Sequence, residues 1–283
     1  MGGIIWLASY PKSGNTWART FILNLLTNPE QPANINDLDT FTLGDSSASS
    51  YEKVSGKSIT EISGKELAKL TPKVHRVYAM SRQDSVFVKT HSSFGSVYGT
   101  PLITMEYTAG AIYIIRNPLD AVISLSDHFG LDLDGGIDLL NNPKGIVGAP
   151  ADKMGARGGQ IEQILGSWSG HVTSWLPFSR QHFHLTRYED MLDKPVETFR
   201  NMARFLGLNP PEERLNKAIE FSSFKNVKKQ EEEKGFFEQS PKTDSFFRVG
   251  KSGQWKDVLS DKQVDRIVKC HHDTMKQFDY LPK

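Results

Sequence analysis

The chain has a single cysteine, Cys270, in 283 residues. That excludes an intramolecular disulfide and a multi-cysteine metal site, and it points to a reducing compartment. It has almost no net charge: 34 Lys and Arg against 33 Asp and Glu leave a formal +1. No general field therefore draws nucleic acid or an anionic membrane, and any anion site must be built locally. No apolar run approaches the roughly 20 residues that span a bilayer, and no segment joins a basic end to an apolar core as a leader does. No GxxxxGK[ST] occurs, which argues against a nucleoside triphosphatase holding Mg²⁺ through such a loop. No His, Asp and Glu share metal-ligand spacing, so no metal is expected. These absences describe a soluble cytoplasmic protein, long enough to bury a real core.

What is present alternates. "GIIWLASY" (Gly3 to Tyr10), "DSVFVKTH" (Asp84 to His91) and "GAIYIIRN" (Gly110 to Asn117) are short apolar runs bounded by turn residues, and read as buried strands. "HFHLTRYEDM" supplies a fourth, ending near Arg187 and Tyr188. Helices are predicted from Asn15 to about Thr27, from Pro118 through "LDAVISLSDHF" with Asn117 as cap, and over "PVETFRNMARFLGL" and "EERLNKAIEF". "QIEQILGSWSGHVTSWL" has helical spacing, and a final helix runs from about Asp261 to Tyr280, with His271 and His272 on its faces. Residues 28 to 73 are polar and weakly periodic, read as loops and short helices, "SGKELAKLT" being the most helical piece. "KNVKKQEEEKGFFEQSPKTDS" reads as charged loop, and the glycine-rich stretch from Gly130 to Gly159 as a long connection. Strands alternating with helices predict one α/β domain over residues 1 to 283, a central parallel sheet flanked by helices.

Three segments carry candidate chemistry. In "WLASYPKSGNTWART" (Trp6 to Thr20) a strand, a tight loop and a helix N-terminus point backbone N–H groups and the helix dipole at one spot. Gly14 permits close approach, Lys12 brings a charge, and Ser13 and Thr16 bring hydroxyls; the alternative is a surface turn with a solvated lysine. In "IYIIRNPLDAVISL", Arg116 leaves the C-terminal end of a strand, where ligands of open α/β sheets gather, and Ser124 follows two helical turns on. They suit a second phosphate, or a helix-terminal ion pair and a helix-face hydroxyl. "RVGKSGQWK" (Arg248 to Lys256) is either an anion-closing loop or a charged surface loop.

Taken in order, these segments resemble the cytosolic-type sulfotransferase family, which uses 3′-phosphoadenosine-5′-phosphosulfate (PAPS). "YPKSGNTW" is similar to its 5′-phosphosulfate loop, "YIIRNPLDAVIS" to its 3′-phosphate motif and "RVGKSGQWK" to its C-terminal RKGxxGDWK loop. "KTH" (Lys89 to His91) stands where the family carries its catalytic histidine, and "RYEDM" and "SSFKNV" resemble segments around the adenine. The resemblance covers about residues 3 to 257 and implies a P-loop-like phosphosulfate-binding fold. It implies donor contacts from Lys12, Ser13, Gly14, Asn15, Thr16 and Trp17 in the first loop, and from Arg116 and Ser124. Tyr188, Ser223 and Phe224 would lie toward the adenine side, as would Trp17, whose place on an apolar stripe also suits the core. Arg248, Val249 and Gly250 would close over the 3′-phosphate. Val249 and Gln254 depart from the family's lysine and aspartate, and its dimerisation pattern KxxxTVxxxE is not recognisable in "WKDVLSDKQVDRIVKCHHD".

By the same resemblance, sulfuryl transfer proceeds by in-line displacement, without a metal, to a small-molecule alcohol, phenol or amine. His91 is the general base, Lys12 meets charge on the bridging oxygen, Lys89 assists, and Ser124 also restrains Lys12. The competing readings are a nucleotide kinase-like phosphoryl transferase and a non-catalytic nucleotide-binding protein, which would have little need of His91. The stretch from Gly130 to Gly159 is expected to be a mobile lid over the acceptor, or a surface insertion.

Overall fold

The computed structural model describes residues 2–149, 159–178 and 182–282. In chain order, β1 (Ile4–Ser9) leads into α1 (Asn15–Thr27). Then come α2 (Leu38–Phe41), β2 (Thr42–Gly44), α3 (Ala48–Ser55), α4 (Gly64–Ala79) and β3 (Val86–Thr90). A small hairpin, β4 (Ser96–Val97) and β5 (Thr100–Pro101), precedes β6 (Thr108–Ile115), α5 (Pro118–Phe129) and α6 (Leu133–Asn141). β7 (Ile146–Ala149) and β8 (Gln160–Ile164) form a second hairpin before α7 (Trp168–Trp175) and β9 (Phe183–Arg187). The chain continues through α8 (Tyr188–Asp193), α9 (Pro195–Phe205), α10 (Glu212–Phe221), α11 (Phe224–Lys234), α12 (Trp255–Val258) and α13 (Asp261–Gln277).

The central parallel sheet has the order β2-β3-β1-β6-β9. Ile4 pairs with Val86 and Ala8 with Thr90 across β1 and β3, while Thr42 pairs with Phe87 across β2 and β3. A strand covered on both faces loses the alternating pattern and reads as continuous apolar sequence. "IIWLAS" and "AIYII" do so, and all of Ala111 to Ile115 is buried.

The chain packs as two units. One comprises Met1–Tyr10, Thr42–Tyr113 and Asn142–Phe183; its core includes Trp6, Val88, Ile112, Tyr113, Trp168 and Trp175. The other comprises Pro11–Phe41, Ile114–Asn141 and His184–Lys283. In it Phe21 packs on Phe199 with ring centroids 4.3 Å apart, and Leu23, Ile35, Leu38, Val227 and Phe236 form a second cluster.

Four expectations are corrected. The stretch from Gly130 to Gly159 is not a continuous loop, because α6 and β7 lie within it. Ile137 and Leu140 are fully buried, and Gly136 is where α6 meets α5: a Cβ there would stand 1.9 Å from Ser126 Oγ. Residues 133–141 are therefore a packed helix and not the stripe-free permissive backbone on which the lid expectation rested; residues 150–158 of that stretch lie outside the described residues. "QIEQI" is strand β8 rather than helix, and helical geometry starts only at Trp168 behind the Ser167 cap. The charged segment after Phe221 folds as α11, burying Val227, Gln230 and Glu231. The polar stretch before residue 73 hides an edge strand, β2. The cap at Asn117 holds: its Oδ1 accepts from Leu119 N at 3.0 Å, with Pro118 in the first turn.

Candidate active site

In the second unit the opening loop is bent by two left-handed residues, Lys12 (φ 66°) and Gly14 (φ 101°). The lysine bears a cost of about 1 kcal/mol for that conformation, while the glycine has no substitute. A Cβ on Gly14 would lie 2.7 Å from Tyr188 Cδ2, so the ring of Tyr188 sits on its bare Cα. α1 begins at once, with no side-chain cap and no acidic residue in its first turn. Ser13 is fully buried, and its Oγ has no hydrogen-bond partner among the described residues.

Arg116 ties this loop to a distant one. Its Nη1 donates to the Lys12 carbonyl at 3.0 Å and its Nη2 to the Lys251 carbonyl at 3.3 Å, and the guanidinium lies 4.3 Å from the Tyr188 ring centroid. Its buried Nε has no partner among the described residues. The loop from Arg248 is shaped on Gly250 (φ 64°), where a Cβ would fall 2.3 Å from Phe224 Cδ2. Buried Asp120 fastens the loop's far end, its two oxygens accepting from Gly253 N at 2.6 Å and Trp255 N at 3.1 Å. The opening loop, Arg116, Tyr188, Phe224 and the Arg248 to Gly250 turn, all singled out in the motifs, are thus linked by contacts. Ser124 is half-buried on α5, Ser223 is the residue before α11, and Val249 is exposed. Trp17 meets Tyr188 and Phe199 edge-on, and its Nε1 is buried without a partner among the described residues.

Several contacts of this unit were not legible in the motifs. Lys12 Nζ stands 3.8 Å above the Phe246 ring centroid. Glu231 accepts from Ser245 Oγ, Phe246 N and Phe247 N, fixing the turn that carries that ring. Glu238 accepts from Arg19 Nη1 at 2.7 Å and from Thr16 Oγ1 at 3.3 Å, so a carboxylate holds the hydroxyl assigned to a phosphate. Arg248 lies 3.7 Å from Asp127. Both groups are partly exposed, and such a pair contributes about 1 kcal/mol or less. None of these partners shares a spacing pattern with the loops, apart from the carboxylate of Asp120, four residues after Arg116.

In the first unit His91 follows β3 directly. Its Nδ1 lies 2.8 Å from the Ser9 carbonyl and its backbone N–H donates to Gln163 Oε1 at 3.2 Å. A carbonyl only accepts, so Nδ1 carries the proton and Nε2 the lone pair. Lys89 is half-buried on β3, and its carbonyl accepts from Asp45 N at 3.1 Å. Burial pushes the Asp45 carboxyl up to about 6, against the opposing pull of its Thr90 hydrogen bond and the Lys89 charge. On α13, in the second unit, His271 is buried against Asn141 and His272 is exposed beside Asp273.

Buried donors without partners, at the N-terminus of a helix with no acidic residue in its own first turn, suit an anion, and the Glu238 carboxylate on Thr16 Oγ1 is the group such an anion would displace. A parallel sheet with such a loop after its first strand defines an α/β protein of the phosphate-binding-loop class. The chain belongs to the sulfotransferase domain family, whose model matches residues 4–279. It is 27% identical over 285 residues to cytosolic sulfotransferase 13 of Arabidopsis thaliana, covering 98% of this chain and 78% of that one. It is 28% identical over 272 residues to sulfotransferase 1B1 of Canis lupus familiaris, covering 93% and 80%. Its fold is similar to that of mouse sulfotransferase SULT7A1 complexed with PAP (TM-score 0.62, 19% identity, 98% and 85% covered). It is also similar to that of retinol dehydratase in complex with androsterone and inactive cofactor PAP (TM-score 0.65, 18% identity, 96% and 80% covered). The protein is a sulfotransferase, and PAPS is the family's sulfuryl donor. Among the described residues, no helix is long and apolar enough to cross a membrane, and no group of three or more His, Cys, Asp or Glu is placed to hold a metal ion.

Proposed function

We propose that this sulfotransferase acts on a small-molecule alcohol, phenol or amine in the cytoplasm, with His91 as general base and Lys12 as the group that meets leaving-group charge. The observation that carries the donor assignment is the pair of buried donors without partners, Ser13 Oγ and Arg116 Nε, on the loops that Arg116 joins. They fit a phosphosulfate and a 3′-phosphate better than they fit solvent.

PAPS supplies the sulfuryl group, and adenosine 3′,5′-bisphosphate is left after transfer. In this reading Ser13, Gly14, Asn15 and Thr16 hold the 5′ side through hydroxyls and backbone N–H groups. Thr16 exchanges Glu238 for phosphate when the donor arrives. Lys12 leaves the Phe246 ring for the bridging oxygen, an interaction that strengthens as charge develops there. Arg116, Ser124 and the turn of Arg248, Val249 and Gly250 hold the 3′-phosphate, while Trp17, Tyr188, Ser223 and Phe224 enclose the nucleoside. His91 takes the acceptor proton at Nε2, the nitrogen left with a lone pair by the Ser9 contact, and Lys89 assists.

The test has two arms. Labelled PAPS with a panel of phenols, alcohols and amines should yield a sulfated product and the bisphosphate. Calorimetry should show Arg116→Ala weakening adenosine 3′,5′-bisphosphate far more than adenosine 5′-phosphate. Equal losses for the two nucleotides would remove Arg116 from the 3′-phosphate, and absence of any sulfated product would count against the acceptor classes named.

A further inference from the structure

Around His91, α7 does something that neither a general base nor a donor site requires. The backbone beyond β3 leaves the ladder at His91 and Ser92, and two side chains of α7 take up the freed carbonyls. His171 Nε2 lies 3.0 Å from the His91 carbonyl oxygen, and Trp175 Nε1 donates to the Ser92 carbonyl at 3.2 Å. On its other side, His171 Nδ1 lies 2.7 Å from Tyr113 Oη.

The protons on this chain can be assigned without freedom. The His91 carbonyl only accepts, so His171 Nε2 carries the hydrogen. A neutral imidazole then has its lone pair on Nδ1, and Tyr113 must donate to it. Tyr113 O–H donates to His171, and His171 N–H donates to the backbone of His91. His171 and Tyr113 are both fully buried. Burial also holds the His171 imidazole down to about 4 and so keeps it neutral. A buried helix face needs only volume to pack, and an apolar side chain would fill the space. The polar chain ends on the carbonyl of the residue whose ring must be aimed. That ring is held from its own side by the Ser9 carbonyl, so the peptide and the imidazole of His91 are each fixed by a separate hydrogen bond.

We propose that His171, oriented by Tyr113, is a positioning residue for His91: it fixes the His91 peptide so that the ring, tied to Ser9, presents Nε2 in one direction. This rests on the reading of His91 as the general base, and the test separates the two. His171→Leu removes the donor and keeps most of the volume. His171→Gln keeps a donor at about the reach of Nε2. Tyr113→Phe removes one oxygen and is the variant to use if His171→Leu does not fold.

The expected result for His171→Leu is a 10- to 100-fold fall in kcat with bisphosphate affinity within two-fold of the parent. His171→Gln should recover most of the loss, and Tyr113→Phe should lose about 3- to 10-fold. In ¹⁵N spectra of histidine-labelled protein, the His91 Nδ1 and Nε2 signals should move in His171→Leu and return in His171→Gln. Unchanged kcat and unchanged His91 signals in a folded His171→Leu protein would overturn the proposal. So would a His171→Gln protein as impaired as His171→Leu. If His91→Ala keeps full turnover while the His91 signals still respond to His171, the base assignment fails and the positioning contact stands.

Discussion

His91→Ala is expected to lower kcat by about 10² to 10⁴, the usual cost of losing a general base, and to leave bisphosphate affinity within a few-fold. Parallel turnover assays and calorimetry check this, and near-parental turnover would remove His91 from the mechanism. The residue was singled out because it ends an apolar run in "KTH" and stands in register with the family's motif, and the structure puts it directly after β3. Gly14 was legible for another reason: a lone glycine between a strand and a helix has few uses besides a backbone bend, and its φ of 101° is that bend. Phe246, Glu238 and Asp45 were not legible. Each acts by standing against a residue far away in the chain: Lys12 for Phe246, Thr16 for Glu238 and Thr90 for Asp45. Spacing carries no trace of such pairs. Val249, flagged as a departure from the family, is 40% exposed, so its side chain contributes little packing of its own.

At the scale of elements, propensity misled where tertiary contacts overrode it. "LDGGIDLLN" carries two adjacent glycines, each costing about 1 kcal/mol in a helix interior, yet it forms α6. Burial of Ile137 and Leu140 offsets that cost, and Arg266 reaches both Asp134 and Asp138 from α13. The glycine is required where the two helices touch. Gly136→Ala should therefore destabilise the protein by about 1–3 kcal/mol through overpacking, read as a lower urea midpoint with an unchanged slope. Gly207→Ala is no control for this, because its φ of 74° strains any side chain; Gly170→Ala, at a helix start, tests a glycine with a looser neighbour. A Gly136→Ala protein as stable as the parent would mean that α6 is not pinned there. α11 was misread for the opposite reason. "KKQEEEK" has the charge of a solvated loop, and only the structure reveals that one of its carboxylates, Glu231, is buried and holds the turn of Ser245 to Phe247. α1, α5, α9, α10 and α13 were legible because their apolar stripes recur at helical spacing between clear caps or breakers.

For the molecule as a whole, buried histidines set the response to acid. Burial lowers His75, His171, His184 and His271 from 6.5 to about 4; His75, His171 and His271 are 0, 0 and 2% exposed, and His184 is half-buried. The unfolded chain takes up these protons near pH 6.5 and the folded one does not until about pH 4. Their stabilisation is therefore complete above pH 6.5 and lost as the pH falls toward 4. At about 1.4 kcal/mol per pH unit, His75, His171 and His271 each contribute roughly 3 kcal/mol. Asp45 acts in the opposite sense: raised from 3.8 to about 6, it keeps its proton in the fold and gains stability over that range, by a similar amount. The three fully buried histidines against Asp45 leave a net loss of about 6 kcal/mol, to which half-buried His184 adds in the same direction, comparable with the 5–15 kcal/mol that holds a domain together. The urea midpoint should fall steeply between pH 6.5 and pH 4.5. A midpoint independent of pH over that interval would show that these histidines are not held neutral by the fold.

Tyr280 Oη donates to Glu189 Oε2 at 2.7 Å, and the other oxygen of Glu189 accepts from Asn117 N at 3.0 Å, at the cap of the helix that follows Arg116. Translation makes Asn117 first, Glu189 some seventy residues later and Tyr280 last of the three. A ribosome that has completed 279 residues has thus already polymerised every residue assigned to the donor, but Arg248 to Gly250 and α13 are still in the exit tunnel, and the carboxylate beside the Arg116 turn lacks its partner. On the proposed donor assignment, the final tightening at the Arg116 turn waits on release of that tyrosine from the exit tunnel. In the finished chain Tyr280→Phe, which removes only that hydroxyl, should bind the bisphosphate less tightly than the parent; equal affinity would show that the Glu189 contact does not reach the Arg116 turn.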